Sequence, residues 1–206
     1  MRGPTPLQGP TGIGVLLATA ILLAAGGCTT TDEMWPRIRI KQENDPSLAP
    51  YVVTPPEVVE EMLRLAEVGK DDLVYDLGSG DGRIVITAAR RYGARGAGFE
   101  LEPDLVRRAR EDARRAGVDG LAEFHQQDVM TVDLTPATVV TIYLSREANL
   151  LLRPRLVSQL RPGSRVVSHD FDMGDWSPVR VLRLRDDSGR EHSLFLWRIP
   201  DRPPRG

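Results

Sequence analysis

Apolar residues recur along this chain in two rhythms. Between Glu57 and Val68 they fall at Val58, Val59, Met62, Leu63, Leu65 and Ala66, the spacing of one helix face. Thr54-Pro55-Pro56 just ahead supplies a cap and prolines suited to a first turn. Leu73 to Leu77 is a short apolar run that ends in glycines and predicts a strand. The alternation continues with a helix over 83–92, a strand over 96–100, a helix over 103–116 and a strand over 122–125. Ala137 to Leu144, rich in β-branched residues, predicts a buried central strand. The helix predicted over 148–160 contains Pro154, where a kink or break is expected. A strand over 164–169 and an antiparallel pair over 179–184 and 193–199 complete the pattern. This order predicts a doubly wound α/β sheet with a terminal hairpin. Ligands of such sheets bind at the carboxyl ends of the strands. The loops after Leu77, Glu100, Gln127, Leu144 and Asp170 should therefore surround one cleft.

The first of these loops is Asp76-x-Gly78-x-Gly80-x-Gly82. Its glycines allow a sharp turn and close approach to a ligand. The helix behind them offers unpaired N–H groups. Many nucleotide binders share such a turn, so two details matter. The dinucleotide pattern G-x-G-x-x-G needs its third glycine at position 83, where Arg83 stands, and the Gly-Lys-Ser/Thr of a P-loop is absent. Asp76 has little role beside a pyrophosphate but suits the cationic amino-acid end of S-adenosylmethionine. Glu100 ends the second strand, where a carboxylate accepts hydrogen bonds from both ribose hydroxyls. Asp128 closes the third strand, positioned to accept from an adenine amino group. Leu160-Arg161-Pro162-Gly163 makes a turn before the 164–169 strand. Singly, these features read as a solvated strand end, a helix cap and a generic turn. In order on the expected elements, they point to one cofactor.

From Pro50 to about Pro200 the chain resembles class I S-adenosylmethionine-dependent methyltransferases, of Rossmann-like, seven-stranded type. More narrowly it resembles a bacterial group related to the mitochondrial lysine methyltransferases of the ATP synthase c subunit and the adenine nucleotide translocase. Pro50-Tyr51-Val52-Val53-Thr54-Pro55, the turn Asp76-Leu77-Gly78-Ser79-Gly80-Asp81-Gly82-Arg83 and the strand Arg165-Val166-Val167-Ser168 carry the likeness. Val53 departs from it, standing where proline is common, and His169-Asp170-Phe171-Asp172 differs from the eukaryotic versions. The resemblance implies a methyltransferase in which Tyr51, Thr54, Asp76, Gly78, Gly80, Glu100 and Asp128 contact the cofactor, with Ser79 and Gly82 in the same turn.

The substrate wall is expected from the loops after Leu144 and His169, which makes Tyr143, Asn149, His169, Asp170 and Trp176 candidates. Tyr143, His169 and Asp170 are the catalytic choices among them. Each also has an ordinary role open to it: strand packing for Tyr143, a helix cap for Asn149, an edge cover for Trp176, a satisfied buried imidazole for His169. Ile142-Tyr143-Leu144-Ser145 stands where nucleobase and glutamine methyltransferases carry N-P-P-Y, which argues against a nucleobase acceptor. A protein-lysine N-methyltransferase is the expected function, and the partner class implied by the resemblance is a protein, membrane-embedded proteins included. A small-molecule methyltransferase and a non-catalytic S-adenosylmethionine-binding adapter are the alternatives.

Composition narrows the partners. A formal net charge of -2 argues against binding nucleic acid through bulk electrostatics. A single cysteine, Cys28, excludes an internal disulfide and a cysteine zinc site, and the three histidines lack metal-ligand spacing, so no metal is expected. Ile13 to Ala25 is an apolar run shorter than the ~20 residues of a membrane-spanning helix. With Gly26-Gly27-Cys28 it reads as a signal segment of lipoprotein type over residues 1–28, followed by a tether and entry arm over 29–49, the methyltransferase domain over 50–200 and a short tail. A membrane-associated lipoprotein is the first expectation. A cytoplasmic protein follows instead if the segment is an uncleaved anchor or if Met34 is the true start.

Overall fold

The computed structural model describes residues 51–201. The signal-type segment, the tether and the residues after Asp201 lie outside the described residues. Helix α1 (Pro56–Leu65) leads into strand β1 (Leu73–Leu77), followed by α2 (Arg83–Tyr92), β2 (Arg95–Glu100), α3 (Pro103–Arg115) and β3 (Ala122–Gln126). Then come β4 (Val139–Ile142), α4 (Arg146–Gln159), β5 (Arg165–His169), β6 (Arg180–Arg185) and β7 (Glu191–Arg198). They form a seven-stranded sheet in the order β3-β2-β1-β4-β5-β7-β6. Strands β1 to β5 run parallel, and β7 pairs antiparallel with both β5 and β6. The expected doubly wound sheet with its terminal hairpin is therefore present. The chain moves outward from β1 to β3 and then returns to lay β4 on the other side of β1. That reversal is the switch point, and it opens a crevice beyond Leu77 and Ile142.

Alternation along the strands divides the core into two layers. Val74, Val139, Val167, Leu194 and Leu196 face α1 and α2, where Val58, Met62, Leu63 and Ala88 meet them. Leu77, Val140, Ile142, Val166 and Trp197 face α4, packing on Leu152 and Leu156. All four residues of β4 are buried, as a central strand covered on both faces requires. Edge strand β6, Arg-Val-Leu-Arg-Leu-Arg, keeps three arginines in its row, which discourages pairing with another chain. At the amino ends of the strands, Asp72 accepts from Thr138 Oγ1 at 2.7 Å and pairs with Arg165.

Two departures from expectation lie beside the crevice. Strand β4 is half the length of the predicted apolar run, because Tyr143 and Leu144 leave the ladder for the crevice. Helix α4 begins two residues early, with Ser145 Oγ accepting from Ala148 N at 3.1 Å, and it continues through Pro154 instead of breaking. The hydrogen bond that proline removes belongs to the carbonyl of Leu150, a residue 41% exposed, where water can replace it.

Gly82 caps α2 in a left-handed conformation (φ 81°), and a Cβ there would lie 2.5 Å from the Phe124 ring and 2.8 Å from Ala109 Cβ. Replacing Gly82 with alanine should lower stability by about 1–3 kcal/mol through overpacking and backbone strain. Urea denaturation of Gly82→Ala checks this, and an unchanged midpoint would contradict the contact.

Candidate functional site

Strand β1 carries Asp76 to the rim of the crevice, where it is 2% exposed and accepts a hydrogen bond from Thr141 Oγ1 at 2.8 Å. Burial pushes its carboxyl up to about 7; the Thr141 hydrogen bond opposes this, and the charges of Glu100 and Asp81 add to it. The turn that follows holds Gly78 and Gly80 at φ 79° and 54°. A Cβ on Gly78 would sit 2.5 Å from Leu144 Cδ2, and one on Gly80 2.5 Å from Tyr51 Cε2. The turn rests on the end of β2. Gly78 N and Ser79 N donate to Phe99 O at 2.9 and 3.0 Å, and Gly80 N to Glu100 Oε2 at 2.9 Å. Glu100 Oε1 accepts from Leu101 N and Glu102 N at 2.8 and 3.1 Å.

The entry segment closes over this turn. Arg83 grips Asp81 through Nε and Nη2 at 2.9 and 2.5 Å, and its Nη1 reaches Thr54 O at 2.8 Å. Asp81 is 3% exposed, so the fork neutralises a buried charge. Burial first, and the Asp81 charge second, push the Tyr51 phenol up. The Ser79 hydroxyl is buried without a hydrogen-bond partner.

On the other side of the crevice, β5 ends in fully buried His169 and then Asp170, a non-glycine residue at φ 60°. Asp170 is tied to β7: its N donates to Ser193 O at 2.7 Å, and its Oδ1 accepts from Ser193 N at 2.9 Å. Its Oδ2 faces the Tyr143 hydroxyl at 3.5 Å and Arg190 Nη2 at 3.4 Å. The Tyr143 ring lies over that of His169 with centroids 3.8 Å apart. Burial raises the Tyr143 phenol, reinforced by Asp170.

Behind this surface runs a chain of donors and acceptors. His169 Nδ1 meets Thr54 Oγ1 at 3.4 Å, His169 Nε2 meets His192 Nδ1 at 2.8 Å, and His192 Nε2 meets Asp186 Oδ2 at 3.1 Å. The Asp186 carboxylate only accepts, so the His192 proton sits on Nε2. His192 Nδ1 then accepts from His169 Nε2–H, and His169 Nδ1 from the Thr54 hydroxyl. Burial lowers the pKa of His169 to about 4, and its imidazole is neutral at physiological pH.

The fold thus gathers Tyr51, Thr54, Asp76, Gly78, Ser79, Gly80 and Glu100 around one turn, and Tyr143, His169 and Asp170 at the facing strand ends. Gly82 lies at the back of the turn against Phe124 and Ala109. Asp128 is exposed after β3 and caps a short 3-10 turn through Met130 N at 2.9 Å. Asn149 does not cap α4. It is fully buried and donates through Nδ2 to Ser168 Oγ at 2.9 Å and Phe171 O at 3.0 Å, fastening α4 to the loop after β5. Trp176 stacks on Trp197 with centroids 5.6 Å apart, and its carbonyl accepts from Trp197 Nε1 at 2.7 Å, which makes it part of the α4 layer. Sequence reasoning missed Asp81, Thr141, Asp186, Arg190 and His192, and it used Arg83 only to exclude dinucleotides. Asp81-Gly82-Arg83 stood inside the recognised turn and was the one available signal.

These groups fit S-adenosylmethionine. Asp76 offers a buried carboxyl whose ionised form a cationic group beside it would favour, and Glu100, which already accepts three N–H bonds, keeps one acceptor position for a hydroxyl. Gly78 and Gly80 keep Cβ atoms out of the turn, while the unpartnered Ser79 hydroxyl is packed against Gly98 of β2.

Comparison with known proteins agrees. The family described as the ANTKMT methyltransferase domain matches residues 76–180. A protein-lysine N-methyltransferase of Saccharolobus islandicus is 42% identical over 151 residues, which is 73% of this chain and 93% of that protein. The adenine nucleotide translocase lysine N-methyltransferase of Mus musculus is 41% identical over 134 residues, 65% of this chain; the chain spans 58% of that relative's length. Among solved structures, an RNA methyltransferase from Salinibacter ruber in complex with S-adenosyl-L-homocysteine shares 53% identity with a TM-score of 0.70, covering 75% of this chain and 98% of that one.

Replacing Asp76 or Glu100 with alanine should each weaken S-adenosylmethionine binding by about 1–3 kcal/mol, the loss of a charge-assisted hydrogen bond. Calorimetric titration measures this, and unchanged affinity in both folded variants would refute the assignment. Asp76 also predicts a pH dependence. The folded protein holds its proton up to about pH 7, whereas an unfolded aspartate releases it near pH 4, so the native state binds the extra proton between those values. Stability without cofactor should therefore fall as pH rises through that window, and Asp76→Asn should flatten the fall. Denaturation midpoints across the window, compared between the two proteins, decide it.

Proposed function

Because the chain belongs to the ANTKMT methyltransferase domain family and is an S-adenosylmethionine-dependent methyltransferase, we propose that its methyl acceptor is the side-chain amine of a protein lysine. The observation that carries this reading is the likeness to the Saccharolobus protein-lysine N-methyltransferase along nearly that protein's whole length. The crevice is chemically consistent with it. When bound, S-adenosylmethionine supplies a methyl group on a sulfonium sulfur. Asp76, Glu100, Tyr51 and Thr54 hold that molecule, with Asp128 on the exposed turn after β3 as the acceptor for its base. Tyr143 offers an aromatic face at the acceptor side, suited to an incoming ammonium. Leu144 and the ring of Phe171, 6.4 Å from that of Tyr143, make this side apolar. Desolvation there lowers an ammonium's pKa and favours the neutral amine that methyl transfer needs. His169 beneath the ring, with Asp170 and Arg190 beside the hydroxyl, keeps Tyr143 in place. Most of the acceleration then comes from holding amine and methyl in line.

The Salinibacter structure, whose name states an RNA methyltransferase, favours a second reading in which RNA is the acceptor. The net charge of -2 and the absence of N-P-P-Y weigh against it. Membrane attachment through residues 1–28 belongs to the proposal as well. No helix among the described residues is long and apolar enough to cross a membrane.

The full-length protein, given isotopically labelled S-adenosylmethionine, should label lysines in a protein fraction of its host, read by mass spectrometry. Label confined to RNA would establish the second reading, and label confined to small molecules would sink both. Tyr143→Ala should lower kcat by roughly 10–100-fold while leaving cofactor affinity within about twofold, as expected for lost acceptor orientation. Stopped-assay kinetics and calorimetry on the same preparation separate the two effects.

A further inference from the structure

We propose that His169, Asp170 and His192 form a binding site for a divalent transition-metal ion, with zinc as its occupant. The three ligand atoms make a compact triangle. His169 Nε2 and His192 Nδ1 are 2.8 Å apart, and they lie 3.5 and 3.8 Å from Asp170 Oδ2. A triangle with those sides has a point about 2 Å from every corner, which is the length of zinc–imidazole and zinc–carboxylate bonds. Two imidazoles and a carboxylate suit zinc better than magnesium or calcium.

The ligands are held rigidly. His169 ends β5 in register with Leu194 of β7, and Asp170 is bonded through both its amide and its Oδ1 to Ser193. His169 is fully buried and His192 is 2% exposed. The ring nitrogen of each histidine that faces away from the triangle is already engaged, His192 Nε2 by Asp186 and His169 Nδ1 by Thr54. A carboxylate or hydroxyl on the outer nitrogen is the usual support of a metal-bound imidazole. Binding needs no proton to leave. The His169 proton moves from Nε2 to Nδ1, where Thr54 Oγ1 accepts it, and His192 keeps its proton toward Asp186. The side chain of Asp170 is 20% exposed and that of Arg190 56%, so an ion enters past Asp170 as the guanidinium turns out to solvent.

The site is independent of the identity of the methyl acceptor, and its test involves no turnover. Metal-stripped full-length protein is titrated calorimetrically with zinc chloride, and with cobalt(II) followed by visible absorption. The expected result is one ion per chain and the intense visible band of low-coordinate cobalt. Both are lost in His169→Ala and His192→Ala, and Asp186→Asn, which keeps all three ligands, weakens affinity by about 10–100-fold. Circular dichroism establishes that each variant is folded. Should a histidine variant fail to fold, nitrogen-15 spectra of the unaltered protein serve instead, where zinc must switch His169 from its Nε2–H to its Nδ1–H form. Failure to take up zinc, uptake unaffected by either histidine variant, or an unchanged His169 tautomer would each overturn the proposal.

Discussion

The turn after β1 depends on three glycines, at each of which a Cβ is excluded by a different part of the molecule. Gly78 is pressed by Leu144 from the loop after β4, Gly80 by Tyr51 from the entry segment, and Gly82 by Phe124 and Ala109 from β3 and α3. One turn thereby sets how close three separate elements can come. Its backbone amides are spent on the end of β2, through Phe99 O and the Glu100 carboxylate. The acidic groups of the crevice follow from that seating. Asp76 enters the crevice because β1 ends there, Glu100 because β2 must supply an acceptor to Gly80, and Asp81 because Arg83 is present to neutralise it. A cation-binding hollow then arises beside a bare backbone, which is the chemistry a sulfonium amino acid requires.

Much of this was legible in the sequence because it is local. The β-branched run over 137–144 and the apolar alternation on either side of it mark strands wherever they occur, and the order of elements fixes the switch point between β1 and β4. Asp76 and Glu100 could be named because each occupies the carboxyl end of its own strand, whereas Asp128, expected to close the third strand, lies two residues beyond β3 and caps a short turn. What failed failed for non-local reasons. Pro154 suggested a kink or a break, and the helix does not break, because the packing of Leu152 and Leu156 under the sheet outweighs one missing hydrogen bond at an exposed turn. Trp176 in its loop and Asn149 at the start of a helix stood near the crevice, but whether they face it depends on Trp197 and Ser168, and no spacing rule connects those positions.

The histidines show the same limit more sharply. In sequence, His169 and His192 are 23 residues apart and match no ligand pattern. The β5–β7 register brings them to 2.8 Å, and the tight bend at Asp186-Asp187-Ser188-Gly189 returns a carboxylate to the second ring. An antiparallel closing hairpin on an otherwise parallel sheet is what makes such a meeting possible, since it folds a second strand back across the end of β5. The hairpin therefore does more than cover an edge: it supplies Ser193, His192, Arg190 and Asp186 to the rear of the acceptor wall.

The two ends of the crevice are built on different principles, and this bears on how one fold serves relatives named for different acceptors. At the cofactor end, recognition depends on backbone approach and buried carboxylates inside a turn that admits few substitutions. At the acceptor end, Asp170 is fastened to Ser193 of β7, but Tyr143 and Arg190 meet it and one another only through side-chain contacts at 3.4 to 3.5 Å. Such contacts can be exchanged without disturbing the sheet. Likeness along the domain therefore speaks strongly for the methyl donor and only indirectly for the acceptor. The identity of the acceptor has to be argued from the few residues around Tyr143, and there the apolar, aromatic surroundings, with a net charge of -2 for the chain, favour an amine on a protein over a polyanion.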